Sequence, residues 1–559
     1  MNTLSFSKTD STARYVLELA AYRLWPYEED LAHHEVKALV GNPGNSRVAS
    51  RTLNMESSVP LEEESLKRLT FFHRVQFSKR GERTAYATSQ ALMEATAKAD
   101  ASQEPMGGAR NKELFLMRYL SGRKESNYAT HGLHKFKGKF YPQLAKALFN
   151  MANLKLGETV LDPFAGSGSA LVEACLNGLK GVGVEINPLA AELTNTKIRC
   201  LSLDAHDFRN QSDDVLDRLE RSTKSTPLQD TDRVAHALDI ELDYVKSWFD
   251  AQTLKKLFSL ANIILSLKSK TLRRFGLLVL SDILREVSLQ DPRDLRIRRR
   301  TEGFSDAPVA DLFKEKFIIQ RDRLFNFLRF KEVCVPVSGE AKCLRDDARK
   351  LAGPMLKAQI ADASVDLVLT SPPYASALPY IDTDRLSLAF LGLANKTERS
   401  RLESGLIGNR EISNAERKCL EAQIFEEKEA KCLPVEARRT IFDVLDRNTK
   451  SSVGFRRKNT AALLFKYFSD MKCTMEGMHR VLKPGKHCMI IVGNNVTVAG
   501  AGRLQKEIEI RTDDFLEEIG LQVGFHVRER IPITVTTEDY KHAKNFIGRN
   551  SILMLQKPA

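Results

Sequence analysis

Two short segments of this chain hold residues whose types and spacing can do chemistry. The first is DPFAGSGS, residues 162–169. Its glycines, Gly166 and Gly168, permit a tight turn and let the backbone approach a ligand with no Cβ in the way. Asp162 supplies a carboxylate that can take the ammonium of an amino-acid group. Glu185 follows 23 residues after Asp162, and an acid at such a spacing can accept both hydroxyls of a ribose. A glycine turn with that acid fits several nucleotide cofactors, NAD among them. The dinucleotide fingerprint GxGxxG is absent, because Leu171 stands where its third glycine would be. The second segment is TSPPY, residues 370–374. Two prolines fix a rigid, non-helical backbone and donate no hydrogen bond. Ser371 and the Pro372 carbonyl can each accept one N–H of a planar amine lying on the Tyr374 ring. Bending that amine toward sp³ exposes a lone pair that can attack an electrophile. A plain turn after a strand is the competing reading of the tetrapeptide alone.

The elements around these segments must position them. Residues 159–162 (TVLD) read as a strand, 169–177 as a helix with Leu171, Ala174 and Cys175 on one face, and 181–186 (GVGVEI) as the next strand. Two apolar strands around one helix predict a βαβ unit and a parallel sheet. Gly166 and Gly168 then sit at a strand's C-terminal end, where doubly wound sheets bind ligands. The apolar run 365–370 (VDLVLT) predicts the strand that carries TSPPY. Residues 461–482 read as a long helix, 483–485 as a turn and 487–492 as a strand. Residues 523–527 and 551–555 read as closing strands. Three helical patterns occupy 242–287, and a charged helical stretch runs from about 395 to 450.

The chain has 559 residues, too many for one simple core at roughly 100–200 residues per domain. Four regions are expected: an N-terminal module over 1–110, a first core part over 111–200, a mainly helical insertion over 201–340, and a second core part over 341–559. The last part carries its own helical insertion at about 395–455. Hydrophobic residues at 42% and charged residues at 28% exclude wholesale disorder. The longest apolar runs, such as 275–280, fall far short of the ~18–20 residues of a membrane span. The first residues hold no signal-type apolar stretch, and the eight cysteines form no CxxC pair. These features predict a cytoplasmic protein with reduced thiols and no membrane partner. The net charge of +13 fits a polyanionic partner, or simple solubility.

Together the two segments resemble the amino-methyltransferases of DNA, which use S-adenosyl-L-methionine. DPFAGSGSALVEA (162–174) resembles their cofactor motif and GVEINPLA (183–190) their acidic second motif. TSPPY is similar to their catalytic motif in its serine form, most typical of cytosine-N4 enzymes. HGLHKFKGKFYPQ (131–143), CLRDDAR (343–349), LKPG (482–485) and VGNN (492–495) resemble flanking family segments. The resemblance implies an α/β, Rossmann-like methyltransferase core with a mostly parallel sheet closed by an antiparallel C-terminal pair. It implies that Lys139, Phe140 and Pro142 line the methionine end of the cofactor. Asp162, Phe164, Gly166 and Gly168 would hold its body, Glu185 its ribose and Asp347 its adenine. Ser371, Pro372, Pro373 and Tyr374 would hold a base flipped out of double-stranded DNA. The implied reaction is methyl transfer to an exocyclic amine, cytosine N4 first and adenine N6 second, with a restriction or defence protein as a further implied partner. An RNA methyltransferase acting on a guanine amine of tRNA and a DNA-binding subunit without catalysis are the alternatives. The pattern LAxxEVxAL in 31–39 resembles ferredoxin-like α+β domains at the front of some RNA methyltransferases.

Other residues need weighing. His131 and His134 form HxxH, but no third ligand stands at a sensible spacing, so no metal is expected. Residues 292–300 (PRDLRIRRR) are a solvated loop or a phosphate grip. Under the resemblance Arg296, Arg298, Arg299 and Arg300 contact phosphate. Arg456 and Arg457, in the stretch GFRRKN (454–459), read as a second basic loop on nucleic acid. Trp248 reads as core.

Overall fold

The computed structural model describes every residue except 1–12, 42–45, 50, 58–59, 80–81, 104–106, 121, 137, 223–230, 292–297, 302–303, 336, 376–379, 427–432 and 534–549. Fourteen strands are present among the described residues. Five lie near the N-terminus: β1 (Ala13–Leu19), β2 (Ser46–Ala49), β3 (Thr52–Ser57), β4 (Phe72–Lys79) and β5 (Glu82–Ala87). They form one antiparallel sheet in the order β2-β3-β1-β4-β5. The helix Pro26–Val40 buries Leu31 and Val36 in the same cluster as Leu144 and Leu148 of the helix Pro142–Met151. Buried Glu35 accepts from the Asn150 amide at 2.7 Å across that junction.

The central sheet has seven strands: β6 (Thr159–Asp162), β7 (Lys180–Glu185), β8 (Glu340–Arg345), β9 (Val365–Thr370), β10 (Leu482–Gly493), β13 (His526–Ile533) and β14 (Asn550–Gln556). β11 (Asn495–Ala499) and β12 (Lys506–Ile510) pair separately. The order is β8-β7-β6-β9-β10-β14-β13. The first five strands run parallel, and β14 and β13 close the sheet antiparallel. This is the mostly parallel α/β sheet expected from the strand–helix alternation. All six residues of β9 are buried, as a central parallel strand covered on both faces requires. Its one carboxylate, Asp366, is held at 2.8 Å by Lys483 and at 3.0 Å by the Thr159 N–H.

Between β7 and β8 the chain builds a helical layer. The helices Ala251–Leu265, Lys270–Val287 and Val309–Cys334 share one buried cluster, in which Phe275, Phe313 and Phe317 meet Leu189 and Leu193 of the helix Pro188–Cys200. Between β9 and β10 lie the helices Lys396–Gly405, Asn414–Phe425, Val435–Thr449 and Phe455–Val481.

Three expected local structures differ. Residues 455–459 are the first turn of the helix Phe455–Val481, with Gly454 as N-cap, and not a basic loop. Buried Asn459 anchors that turn by donating to the Ile412 carbonyl. Residues 483–485 belong to β10, whose register against β9 shifts between Leu482 and His487 to absorb the Pro–Gly pair. Val523 ends the helix Thr512–Val523, where Gly524 adopts a left-handed conformation, so the strand begins only at His526.

Candidate active site

The strand order reverses between β6 and β9, and the two chemical segments leave the carboxyl ends of those neighbouring strands. Ligands of open α/β sheets bind at such a switch point. A hydrogen bond joins the segments directly: the Thr370 hydroxyl donates to Asp162 Oδ1 at 2.6 Å. The Phe164 N–H donates to the same oxygen at 3.0 Å. Asp162 is 1% exposed, and burial pushes its carboxyl up to about 6.

The turn after Asp162 needs both glycines. Gly166 has φ +51° and Gly168 φ +80°. A Cβ on Gly168 would stand 2.5 Å from Thr194 Cγ2, and one on Gly166 would stand 3.2 Å from the Phe136 ring. Thr194 donates to the Gly166 carbonyl at 2.9 Å and Lys197 to the Ser167 carbonyl at 2.9 Å. The helix Pro188–Cys200 thus holds the turn from below. Lys197 is 1% exposed, and burial holds its ammonium well below the usual lysine range.

Glu185 ends β7 beside the turn. Its Oε2 accepts the Gly166 N–H and its Oε1 the Asn187 N–H, each at 2.8 Å. Each oxygen keeps a second acceptor site, which suits a vicinal pair of hydroxyls. Burial pushes this carboxyl up to about 7 against the pull of those two N–H groups, and Asp162 and Asp384 add repulsion. Asn187 also donates to Asp384 at 2.8 Å, tying the acid's loop to the helix Tyr380–Phe390. Asp347 caps the short helix Ala348–Ala352, and Arg349 grips its two oxygens at 2.5–3.0 Å. Burial pushes the Asp347 carboxyl up, but Arg349 more than offsets it, and the net shift is downward.

These parts enclose one cleft. Phe164, Gly166, Glu185, Asp347, Ser371, Pro372, Pro373 and Tyr374 all line it. Asp162 lies beneath it and is not part of its lining. Lys139 points its ammonium at the His131 carbonyl, 3.0 Å away. Phe140 packs into the core, and Pro142 is the buried first residue of its helix. Of that segment, Phe136 and Gly138 reach the cleft instead. Asn187, Asp346, Leu406 and Ile407 also line it and were not singled out from sequence. Gly408, at φ +76°, lets its chain press against the Tyr374 carbonyl. The pattern GLIG at 405–408, two glycines inside a charged helical stretch, was the available signal. Nothing in the sequence marked Lys197.

A hydroxyl-accepting acid, a second acid on the far wall, a glycine floor and apolar walls of Phe136, Pro163, Phe164 and Ile407 fit S-adenosyl-L-methionine. The arginines lie elsewhere. Arg300 donates to the carbonyls of Glu286, Ser288 and Gln290 at 2.7–3.1 Å and covers the Phe304 ring. Arg299 bonds the Ser247 carbonyl and covers half-buried Trp248. Arg298 is exposed, and Arg296 lies outside the described residues. Arg456 faces Glu411 at 3.5 Å on the surface, and Arg457 donates to the Gly500 carbonyl at 2.8 Å. His131 meets Glu173 at 2.9 Å, while His134 meets Ser281 and Asp282. No group of potential metal ligands occurs among the described residues, and no described helix is long and apolar enough to cross a membrane.

Comparison with known proteins adds a second line. The family described as "RMKL-like, methyltransferase domain" (UPF0020) matches residues 133–224, which contain the glycine turn and Glu185. The chain is 21% identical over 457 residues to the Type II methyltransferase M.MvaI of Kocuria varians, covering 75% of this chain and 92% of that protein. It is 23% identical over 449 residues to the Type II methyltransferase M.BsoBI of Geobacillus stearothermophilus, covering 74% and 82%. It is 48% identical over 78 residues to a tRNA (guanine(10)-N2)-dimethyltransferase of Methanocaldococcus jannaschii, covering 13% and 22%. The sheet order, the matched domain and these relatives together support placing the chain among the S-adenosylmethionine-dependent methyltransferases.

Proposed function

We propose that this chain transfers a methyl group from S-adenosyl-L-methionine to an exocyclic amine of a DNA base, cytosine N4 first and adenine N6 second. The observation that carries the reading is the Thr370–Asp162 hydrogen bond, which fixes the glycine turn and the TSPPY loop around one cleft. The two Type II methyltransferases, aligned over three quarters of the chain, support the same reading.

When bound, the cofactor supplies an electrophilic methyl group on a sulfonium. The chain's own residues do the rest. Glu185 accepts the ribose hydroxyls with the acceptor sites left by its two N–H bonds. Asp347, steadied by Arg349, faces the adenine amino group. Phe136 and Phe164 exclude water beside the turn. Ser371 and the Pro372 carbonyl accept the two N–H bonds of the target amine, which lies on Tyr374 and bends toward the methyl group. Ser371 acts as an acceptor and forms no covalent bond to the base. The flipped base enters from double-stranded DNA, at a cost of a few kcal/mol that Tyr374 stacking offsets.

The local 48% match to a tRNA guanine-N2 enzyme favours one second reading, an RNA guanine amine as target. Tritiated methyl transfer to duplex DNA and to tRNA side by side separates the two. Mass spectrometry of the nucleosides then names the atom. N4-methylcytosine is the expected product, N2-methylguanosine in tRNA would replace the DNA reading, and 5-methylcytosine would overturn the mechanism, since TSPPY holds no cysteine nucleophile.

A further inference from the structure

Far from the cleft, a small cavity opens between the end of the helix Pro188–Cys200 and the start of the helix Lys270–Val287. Its lining is Thr196, Arg199, Lys270, Thr271 and Arg274, and its open volume is about 430 Å³. No apolar or aromatic side chain lines it, which disfavours a base, a lipid or an apolar peptide. It shares no residue with the cleft. Arg199 lies 12 residues beyond Asn187, so it stands roughly 18 Å away along the helix axis at 1.5 Å per residue.

The charge balance of this cavity is incomplete. Arg274 pairs with Glu192 at 3.3 Å. Arg199 and Lys270 have no carboxylate partner among the described residues, and both are exposed. The neighbourhood therefore carries three cations against one anion. Polar groups converge on the same space. Thr196 is fully buried and donates its hydroxyl to Glu192 at 3.5 Å, which ties the wall to the one carboxylate there. The partly exposed Thr271 hydroxyl faces the cavity as a donor. Ser269 caps the 18-residue helix by taking the Leu272 N–H. The N–H groups of Lys270 and Thr271 are among the first-turn donors that have no partner within the helix.

We propose that this cavity is a binding site for a phosphate group. A net excess of two positive charges suits a phosphate, which carries about −1.5 to −2 near neutral pH as a monoester and one negative charge as a backbone diester. Two guanidinium forks, an ammonium and the Thr271 hydroxyl supply donors from two helices, the arrangement a tetrahedral oxyanion accepts and a planar carboxylate uses only in part. The phosphate comes either from a small molecule, as inorganic phosphate or a phosphate ester, or from the backbone of bound nucleic acid. The site does not depend on the methyl-transfer reading.

The test uses the full chain and the double variant Arg199→Gln/Lys270→Gln, both positions being exposed. Inorganic phosphate is titrated calorimetrically, with sodium chloride at equal ionic strength as the reference. The variant Arg199→Lys/Lys270→Arg, which keeps the charge, controls for lost packing. A second arm measures binding of a DNA duplex over a range of salt. Thermal unfolding, read in every variant, certifies that the fold is intact. Saturable phosphate binding that weakens at least tenfold in the double variant and returns in the charge-preserving one supports the site. If the duplex salt slope is then unchanged, the source is a small phosphate. If instead the slope falls by about 0.9 per lost contact, with or without a change in free-phosphate binding, the source is a backbone phosphate. Equal phosphate binding and equal slopes in wild type and double variant overturn the proposal.

Discussion

The cleft and the arginine-rich stretch around residue 300 both stand out in the sequence, yet the chain uses their polar groups in opposite ways. In the cleft, Glu185 fastens the Gly166 and Asn187 amides and still has acceptor sites facing open space. Around residue 300 two of the described cations are committed to the protein itself. Arg300 spends its guanidinium on three backbone carbonyls at the end of the helix Lys270–Val287, and Arg299 lies over Trp248. Residues at the carboxyl ends of parallel strands are aimed by the sheet, which fixes where they point. Residues in a charged run are aimed by whatever acceptor lies within reach, and sequence does not show that acceptor.

The largest expected effect breaks the cleft side of this contrast. Gly168→Val meets Thr194 at 2.5 Å and holds a β-branched residue at φ +80°. Calorimetry should show no S-adenosylhomocysteine binding, while thermal unfolding remains cooperative. Retained affinity would detach the glycine turn from cofactor binding. Tyr374→Ala comes next. Base–aromatic stacking is worth about 1–3 kcal/mol, so capture of a single-stranded substrate should weaken by about fivefold to 150-fold. Tyr374→Phe should retain most activity, because the ring face does the work. Ser371→Ala should slow transfer with cofactor affinity unchanged.

The fold was legible where one rule governs a segment. The alternation of strands and helix around Gly166, and the largely apolar run of β9, marked the parallel sheet. The cleft was legible where a motif sits at a strand end, as at Glu185 and Ser371. It was hidden where distant chain completes a wall. Leu406 and Ile407 arrive from the insertion between β9 and β10, and no local pattern marks which loop returns to the cleft. Thr370 reads as the last strand residue, and only the β6–β9 pairing brings its hydroxyl onto Asp162.

A further prediction concerns pH. Asp162 and Glu185 have carboxyls raised from the usual 3.8 and 4.5 to about 6 and about 7. For raised acids, the stability each lends the ligand-free fold is complete below its unfolded value and is lost as pH rises through its folded value. Ligand binding runs the other way, since ribose hydroxyls donate to the charged carboxylate. S-adenosylhomocysteine affinity should therefore rise from pH 6 toward pH 8 and level off above about 7. Glu185→Gln should weaken binding at pH 8 and remove the part of the slope near 7. An unchanged pH profile in that variant would take Glu185 out of ribose binding.

The smallest effects sharpen the arginine side. Arg300→Gln should lower stability, because three carbonyls lose a charged donor, a bond of that kind contributing about 1.5–3 kcal/mol net of water where it is shielded from solvent. Its duplex salt slope should match the wild type, since a guanidinium already committed to the backbone neutralises no phosphate. Arg456 is the opposite case. Its contact with Glu411 is 3.5 Å long, and both side chains are more than half exposed, so the pair adds little to stability. Arg456→Gln should leave thermal unfolding unchanged. If Arg456 contacts nucleic acid, the slope of log affinity against log salt should fall by about 0.9. A fall in slope for Arg300→Gln would return the stretch around 300 to phosphate contact, and an unchanged slope for Arg456→Gln would remove Arg456 from nucleic-acid contact.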